Sequence, residues 1–312
     1  MGHVKIAYLG FLGNCDNSIF KVRFGKDFEI GSMSYSEAIA IISKLRGCSA
    51  MDSAMIILRK NLSTSSDNPV YFIRKEQDVP DSSVERVNGI PKYYLDLLND
   101  GQVYLTNKIR LLRIIKNGFV TLPIQLVYRE DTEIVPLIGL DDGKSSIGAI
   151  CHIEDNEVEA VNNFISENEL PFNDGALQLA LESYELSYYT TNPRLSFTSS
   201  MIAIESLLNP GEGEVSYRVS RNLAALLGKD LQSSINVYEK MRKLYRVRSS
   251  IAHGAKSEDI KSEDLEVIRE LARLAIVTYK MAGYDRNRIL DELHLMGFRE
   301  ERPWKIPSYS IH

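Results

Sequence analysis

The feature that most constrains the fold is a change in the pattern of apolar residues near residues 141–146. Downstream of this point, apolar residues recur at the three- and four-residue spacing of helices, with short connections between the helical segments. Such helices are predicted at residues 174–189, 194–208, 214–227, 231–252 and 262–281. Because helices joined by short loops pack as antiparallel neighbours, the sequence predicts an antiparallel helical bundle.

Upstream of the change, strand-like and helix-like patterns alternate. Runs of β-branched and aromatic residues predict strands at residues 4–12, 20–30, 55–58, 70–73 and 120–128. Pro123 favours an edge or an interrupted strand for the last of these, because proline cannot donate to the ladder. The segment from Ser34 to Glu37 is predicted to open the helix that follows it. Helices are predicted at residues 38–45, 93–98 and 108–115.

The predicted fold class is α+β. A mixed α/β domain is expected at residues 1–150, an all-α bundle at 151–285 and a C-terminal tail at 286–312. The cysteines are Cys15, Cys48 and Cys151, which form no C-x-x-C pair, and no histidine lies at zinc-ligand spacing from a cysteine pair. We therefore expect no disulfide framework, no metal site and no cofactor.

Two further patterns argue against common assignments. The N-terminus lacks the apolar stretch of a secretion signal, and no run of about 18 apolar residues is present. We therefore expect a reduced, cytoplasmic protein without a membrane partner. The segment from Gly139 to Ser145 has only three residues between its glycines and two aspartates where phosphates would lie, so a surface turn explains it better than a P-loop.

The strongest functional signal is a basic run in the predicted helix at residues 231–252. Between Lys240 and Arg248 there are five basic residues and no acidic residue, whereas the whole chain has a formal charge of -5. Such a run makes a local surface for phosphate groups, with backbone contacts expected from Lys240, Lys243 and Arg246. The alternative is a solvent-facing basic surface near a helix C-terminus, where cations stabilise the helix dipole.

Arg248 and His253 add a chemical pair at the end of this run. An imidazole can take up and return a proton near neutral pH. A guanidinium offers a planar fork of donors to phosphate oxygens as negative charge builds on them. Together these groups suit metal-independent RNA cleavage, in which the ribose 2′-hydroxyl attacks the adjacent phosphorus. The alternative is that His253 only ends a helix ahead of Gly254.

The spacing of the two residues limits how they can share a site. Five residues along a regular α-helix turn through about 500°, which leaves the two side chains about 140° apart. Either the helix loosens at His253, or two copies of the chain face each other across a twofold axis. The second arrangement places two arginines and two histidines in one cleft, and it predicts a homodimer.

The sequence Arg248-Ser-Ser-Ile-Ala-His253 resembles the R-x4-6-H motif of the HEPN superfamily, including a polar residue, Ser249, directly after the arginine. Together with residues 200–208 and 217–228, it resembles the Apea-like HEPN group over residues 172–283. Residues 1–150 resemble no family. The resemblance implies a usually dimeric helical bundle that cleaves RNA without metal in anti-phage defence or toxin–antitoxin systems. By position, it implies that Arg248 and His253 are catalytic and that Ser249 supports them.

The resemblance leaves several roles open. A non-catalytic HEPN module that binds RNA, a nucleotide or a partner protein is one alternative, and a sensor subunit for a nuclease in another chain is a second. The intact arginine and histidine favour the nuclease, with RNA as substrate and a defence-system or antitoxin protein as a further partner. The N-terminal domain would then recognise a trigger, a substrate or a partner.

Glu205 is a carboxylate on an otherwise apolar helical stripe that includes Met201, Ile204 and Leu208. A carboxylate in such surroundings needs a partner, and Arg221 on the next predicted helix is the candidate for an ion pair. The functional alternative is that Glu205 tunes the catalytic site.

Overall fold

The structure is a computed structural model that describes residues 3–44, 48–61, 69–80, 86–87, 90–129, 135–140, 149–211, 213–254, 260–296 and 303–304. The chain divides into two compact units, of which the first ends at Leu170 and the second begins at Pro171. The first unit combines an antiparallel sheet with helices, whereas the second is helical. The α+β fold class predicted from the sequence is therefore confirmed.

The first unit contains seven strands among its described residues, and a sheet of five of them forms its framework. The strands are β1 (His3–Gly13), β2 (Glu29–Met33), β3 (Val70–Pro80), β4 (Arg86–Val87), β5 (Ile90–Pro91), β6 (Thr121–Arg129) and β7 (Val135–Leu140). The sheet has the order β2-β3-β1-β6-β7 and is antiparallel throughout. β4 and β5 form a separate pair.

β1 is the central strand, and both of its faces are covered. The residues from Ile6 to Leu12 are all buried, whichever face of the sheet their side chains point to. A strand buried on both faces needs a nearly continuous apolar run rather than an alternating one. This explains why residues 4–12 could be recognised as a strand directly from the sequence.

The first unit also contains five α-helices within its described residues. These are α1 (Tyr35–Ile42), α2 (Cys48–Asn61), α3 (Lys92–Asn99), α4 (Thr106–Ile115) and α5 (Val158–Glu167). The predicted helix start of α1 at residues 34–37 is confirmed, and it is a capping box in which the Ser34 hydroxyl accepts from the Glu37 N–H and the Glu37 carboxylate accepts from the Ser34 N–H. Its buried residues pack with β1, β6 and α2 in one apolar cluster.

A π-helical turn, Asp100–Leu105, joins α3 to α4. Gly101 in this turn lies against the buried ring of Tyr8, and a Cβ atom at this position would come within 2.0 Å of the Tyr8 Cε2 atom. The Tyr8 hydroxyl donates to Gln125 Oε1 at 2.9 Å, which holds the ring in place. The helix can therefore approach the central strand only because residue 101 has no side chain.

Two of the N-terminal expectations were wrong. The predicted strand at residues 55–58 belongs to α2, and most of the predicted strand at 20–30 is not extended, since β2 begins only at Glu29. Of the two alternatives for Pro123, the edge strand is excluded because β6 lies between β1 and β7, whereas the interrupted strand is confirmed. Its ladder with β1 shifts register there, so two residues of β6, Leu122 and Pro123, lie opposite Leu12. A bulge of this kind tolerates a residue without an N–H group.

The second unit contains six helices among its described residues. They are α6 (Gly175–Tyr189), α7 (Pro193–Leu208), α8 (Val215–Leu227), α9 (Leu231–Ala252), α10 (Ser262–Ala282) and α11 (Arg286–Leu295). The first five are confirmed to within one residue of the prediction, and α11 lies in what was expected to be a tail. α7 packs against α6, α8, α9 and α10, which places it at the centre of the unit.

The first unit extends beyond the predicted boundary at residue 150. Cys151 forms a parallel β-bridge with Cys15, and Lys116 pairs with Glu157 at 2.5 Å. α5 packs against α4. The two cysteines are more than a hundred positions apart in the chain, and Lys116 and Glu157 are 41 positions apart. The helical sequence pattern of α5 therefore gave no sign of the unit to which it belongs.

Candidate active site

The predicted site lies at the C-terminal end of α9. Asp230 caps the start of this helix by accepting a hydrogen bond from the Ser233 N–H. Further along, Val237, Met241, Leu244 and Tyr245 are buried at helical spacing. Since these residues occupy the packed face, most of the basic run is directed away from the core.

Arg248 is held by Glu205 of α7. Its Nε atom lies 3.2 Å from Glu205 Oε1, and its Nη2 atom donates to Oε2 at 3.2 Å. This two-point contact between guanidinium and carboxylate sets the orientation of the arginine as well as its position. The Arg248 side chain is 42% exposed, against 15% for Glu205, so the outer side of the guanidinium still faces solvent.

Tyr245 completes this cluster from the preceding turn of α9. Its hydroxyl donates to Glu205 Oε1 at 3.0 Å. Burial raises the pKa of Tyr245, and the charge of Glu205 together with this hydrogen bond raises it further. The phenol therefore stays protonated and keeps donating to Glu205. Sequence reasoning missed this residue, although its place three positions before Arg248 puts it on a neighbouring part of the same helix face.

Arg221 does not meet Glu205, so the structure gives both members of the predicted ion pair other partners. Arg221 donates through Nη1 to the Leu293 carbonyl oxygen and through Nη2 to that of His294, both at 3.2 Å. These carbonyls lie in the last turn of α11, where helices leave such groups without internal partners. Arg221 thus caps α11, and the partner of Glu205 comes from α9.

His253 is the residue at which α9 ends. Its φ and ψ of -93° and 15° lie outside the helical region, and its N–H contacts the Ser249 and Ser250 carbonyl oxygens at 3.1 Å each. Gly254 follows with a left-handed φ of 91°. The His253 N–H still makes the i→i−4 bond of the helix, so α9 stays regular up to this residue and ends there, with the His253 side chain exposed in the same terminal region as Arg248. Within the described part of the chain, no hydrogen bond joins His253 to Arg248.

The remaining predicted residues surround this helix end. Ser249 is exposed beside Arg248. Lys243 pairs with Asp264 of α10 at 2.7 Å, although 62% of its side chain stays exposed. Arg246 is exposed and Lys240 is half-buried. Because residues seven apart share a helix face, Arg246 and His253 are placed on the same side of α9.

The described residues contain no cluster of His, Cys, Asp or Glu suited to holding a metal ion. Among the described helices, none combines the length and apolar character needed to cross a membrane. The P-loop-like segment that begins at Gly139 lies mostly outside the described residues.

Comparison of the chain with family models, with curated proteins and with solved structures found no match in any of the three.

Proposed function

We propose that the helical unit is a metal-independent endoribonuclease of HEPN type that acts in anti-phage defence or as a toxin. The observation that carries this proposal is the two-point contact between Arg248 and Glu205, next to the exposed His253. An arginine that only kept the surface soluble would not need a partly buried carboxylate and a tyrosine to orient it. The proposed setting is the cytoplasm, with RNA as substrate and a defence-system or antitoxin protein as partner.

In the proposed mechanism, His253 acts first as general base and then as general acid. The imidazole accepts the proton of a ribose 2′-hydroxyl while the 2′-oxygen attacks the adjacent phosphorus. The 5′-oxygen leaves with a proton from the imidazolium, so the products carry a 2′,3′-cyclic phosphate and a 5′-hydroxyl. Arg248 donates to the non-bridging oxygens as their charge increases, and Ser249 supports it. Lys240, Lys243 and Arg246 bind flanking phosphates.

The alternative function is a non-catalytic HEPN module that binds RNA, a nucleotide or a partner protein. One observation favours it, namely that Arg248 already has a carboxylate partner that offsets part of its charge. The two proposals differ in one measurable result, because only the nuclease converts RNA into shorter products.

The cleavage test uses the full-length protein, a labelled RNA and EDTA. We expect products that end in 2′,3′-cyclic phosphate, identified by mass spectrometry. His253→Ala should cleave about 100-fold more slowly or worse, since removing a general base typically has this effect. His294→Ala is the matched control, because His294 is also exposed but lies on α11. Equal rates for His253→Ala and wild type would rule out this role, and binding without cleavage would favour the non-catalytic module.

The second part of the proposal is a homodimer formed through α7. Leu195 and Ile202 are the most exposed of the described residues of this helix, at 58% and 40%, and both are apolar. Because α7 packs against four other helices, an apolar strip that stays exposed on it is a candidate surface for a second copy of the chain. The row that these two residues form continues at helical spacing to Glu205, which holds Arg248. A second copy on this face would therefore bring two Arg248 and two His253 side chains close together.

We expect the wild-type protein to sediment as a dimer at micromolar concentration and Ile202→Glu to sediment as a monomer. A charge at the centre of an apolar interface remains buried without a partner, and this opposes association. Leu231→Glu is the control, because Leu231 is an apolar residue of α9 that is 78% exposed. A monomeric wild type, or an Ile202→Glu variant that is still dimeric, would exclude this interface.

A further inference from the structure

A cavity of about 260 Å³ lies in the first unit beside the π-helical turn. Its lining includes Lys26, Tyr104, Lys108 and Glu169, together with the apolar side chains of Val103, Leu111 and Leu170. All of these residues belong to the first unit, whereas Arg248 and His253 belong to the second. Nothing in the proposed nuclease mechanism uses this cavity.

Lys108 is a cation that is only 7% exposed. Its Nζ atom donates to the Ile165 carbonyl oxygen at 2.7 Å and to the Asn168 carbonyl oxygen at 2.9 Å. An ammonium group has three N–H donors, so one remains beyond these two. Across the described ranges, Lys108 forms no ion pair with a carboxylate. Since Glu169 in the same lining compensates this buried charge only in part, an anion in the cavity would stabilise it further.

Two ammonium groups, those of Lys26 and Lys108, lie near the aromatic ring of Tyr104. Lys26 Nζ lies 4.4 Å from the centroid of the Tyr104 ring, and Lys108 Nζ lies 5.6 Å from it. The Tyr104 hydroxyl donates to the Phe24 carbonyl oxygen at 2.9 Å, which fixes the position of the ring. Two cations that line the cavity therefore lie against a ring that is itself anchored.

The charges around the cavity leave it positive. Asp100 is shared between Lys26 at 2.7 Å and Lys75 at 2.6 Å, so one carboxylate serves two lysines. Among the described residues that line the cavity, Lys26 and Lys108 are cationic and the exposed Glu169 is the one anion. Burial lowers the pKa of Lys108 while Glu169 opposes that shift, as expected for a lysine whose charge is incompletely compensated.

The helix geometry at the cavity points to a role in binding. The π-helical turn supplies Val103 and Tyr104, and Lys108 follows in the next turn. A π-turn inside a helix has poorer geometry than the α-helix that it interrupts, and such turns occur frequently at functional sites. Here the turn places an aromatic ring and a buried cation on the same cavity.

We propose that this cavity binds a small organic anion, which carries one carboxylate or one phosphate group on a compact apolar body. The anionic group contacts Lys108 and Lys26, and the apolar body contacts Val103, Leu111 and Leu170. The first unit thus has a ligand-binding role of its own, which does not depend on whether the second unit cleaves RNA.

Calorimetric titration of the full-length protein tests this proposal with two anions of one shape, benzoate and phenyl phosphate, and with neutral benzamide. We expect one of the anions to bind and benzamide not to bind, and the stronger anion identifies the acidic group that the site prefers. Lys108→Met and Lys26→Met should each weaken binding by about tenfold or more, the usual effect of losing a charged hydrogen bond. Lys75→Met is the control, because Lys75 shares Asp100 but does not line the cavity.

Two results would overturn the proposal. One is that neither anion binds up to about 10 mM, which is weaker than a specific site provides. The other is that Lys26→Met and Lys108→Met bind the anion as tightly as wild type. If circular dichroism shows that Lys108→Met does not fold, Lys26→Met alone decides, because the Lys26 side chain is 45% exposed and its removal leaves the core intact.

Discussion

Arg248→Ala is expected to slow RNA cleavage by about 100- to 1000-fold, which is the usual effect of removing one donor that stabilises transition-state charge. Arg248→Lys should recover only part of this loss. It keeps the charge but cannot reproduce the planar fork that contacts Glu205 and that, in the proposed mechanism, also donates to a phosphate. The measurement is the single-turnover rate at saturating enzyme, with the dissociation constant for the same RNA determined separately.

Glu205→Gln separates orientation from charge at the same site. It keeps the shape of Glu205 but replaces an ion pair with a neutral hydrogen bond, so Arg248 loses part of its anchoring. We expect a slower cleavage rate with little change in RNA affinity, because in the proposed mechanism Glu205 acts through Arg248 and does not touch the RNA. Wild-type rates for both Arg248→Ala and Glu205→Gln would show that the cluster has only a structural role.

Gly101→Ala is expected to destabilise the protein by about 3 kcal/mol, which is at the upper end of the usual cost of overpacking a core. The added Cβ atom would lie 2.0 Å from Tyr8 Cε2, and the ring is fully buried in the central strand. The ring cannot easily move, since its hydroxyl is bonded to Gln125. Urea unfolding followed by circular dichroism measures the loss as a lower midpoint concentration.

Two variants control for this prediction. Gly175→Ala changes a glycine around which a Cβ would meet nothing within 4 Å, so its effect should stay within about 0.5 kcal/mol. Tyr8→Leu removes the ring, and in the double variant the cost of Gly101→Ala should therefore shrink. An unchanged urea midpoint for Gly101→Ala would mean that the contact with Tyr8 does not limit this turn.

The helical unit was predictable because periodicity and end signals agreed along the chain. The ends of α9, for example, are marked by Asp230 before Leu231 and by Gly254 after His253. The first unit offered weaker signals. The run at residues 55–58 suits a strand or a buried helix equally well over four residues, and its membership of α2 depends on longer context.

The site was predictable only in part, for a similar reason. The chemistry of Arg248 and His253 is visible in the sequence, whereas the partner of Glu205 depends on which helices meet in three dimensions. Arg221 lies on the helix that follows α7 in the chain, but α9 also packs against α7 and brings Arg248 to Glu205. The anion cavity was missed altogether, because the burial of Lys108 arises from α5, which lies far along the chain.

The attachment of α5 to the first unit determines how this chain can be divided for separate study. A fragment that stopped near residue 150 would lack the helix whose Val161, Phe164 and Ile165 are buried in the intact chain. It would also take away both carbonyl oxygens that accept hydrogen bonds from Lys108. Dissection of the two units, for expression or for exchange with other proteins, should therefore place the cut after Leu170.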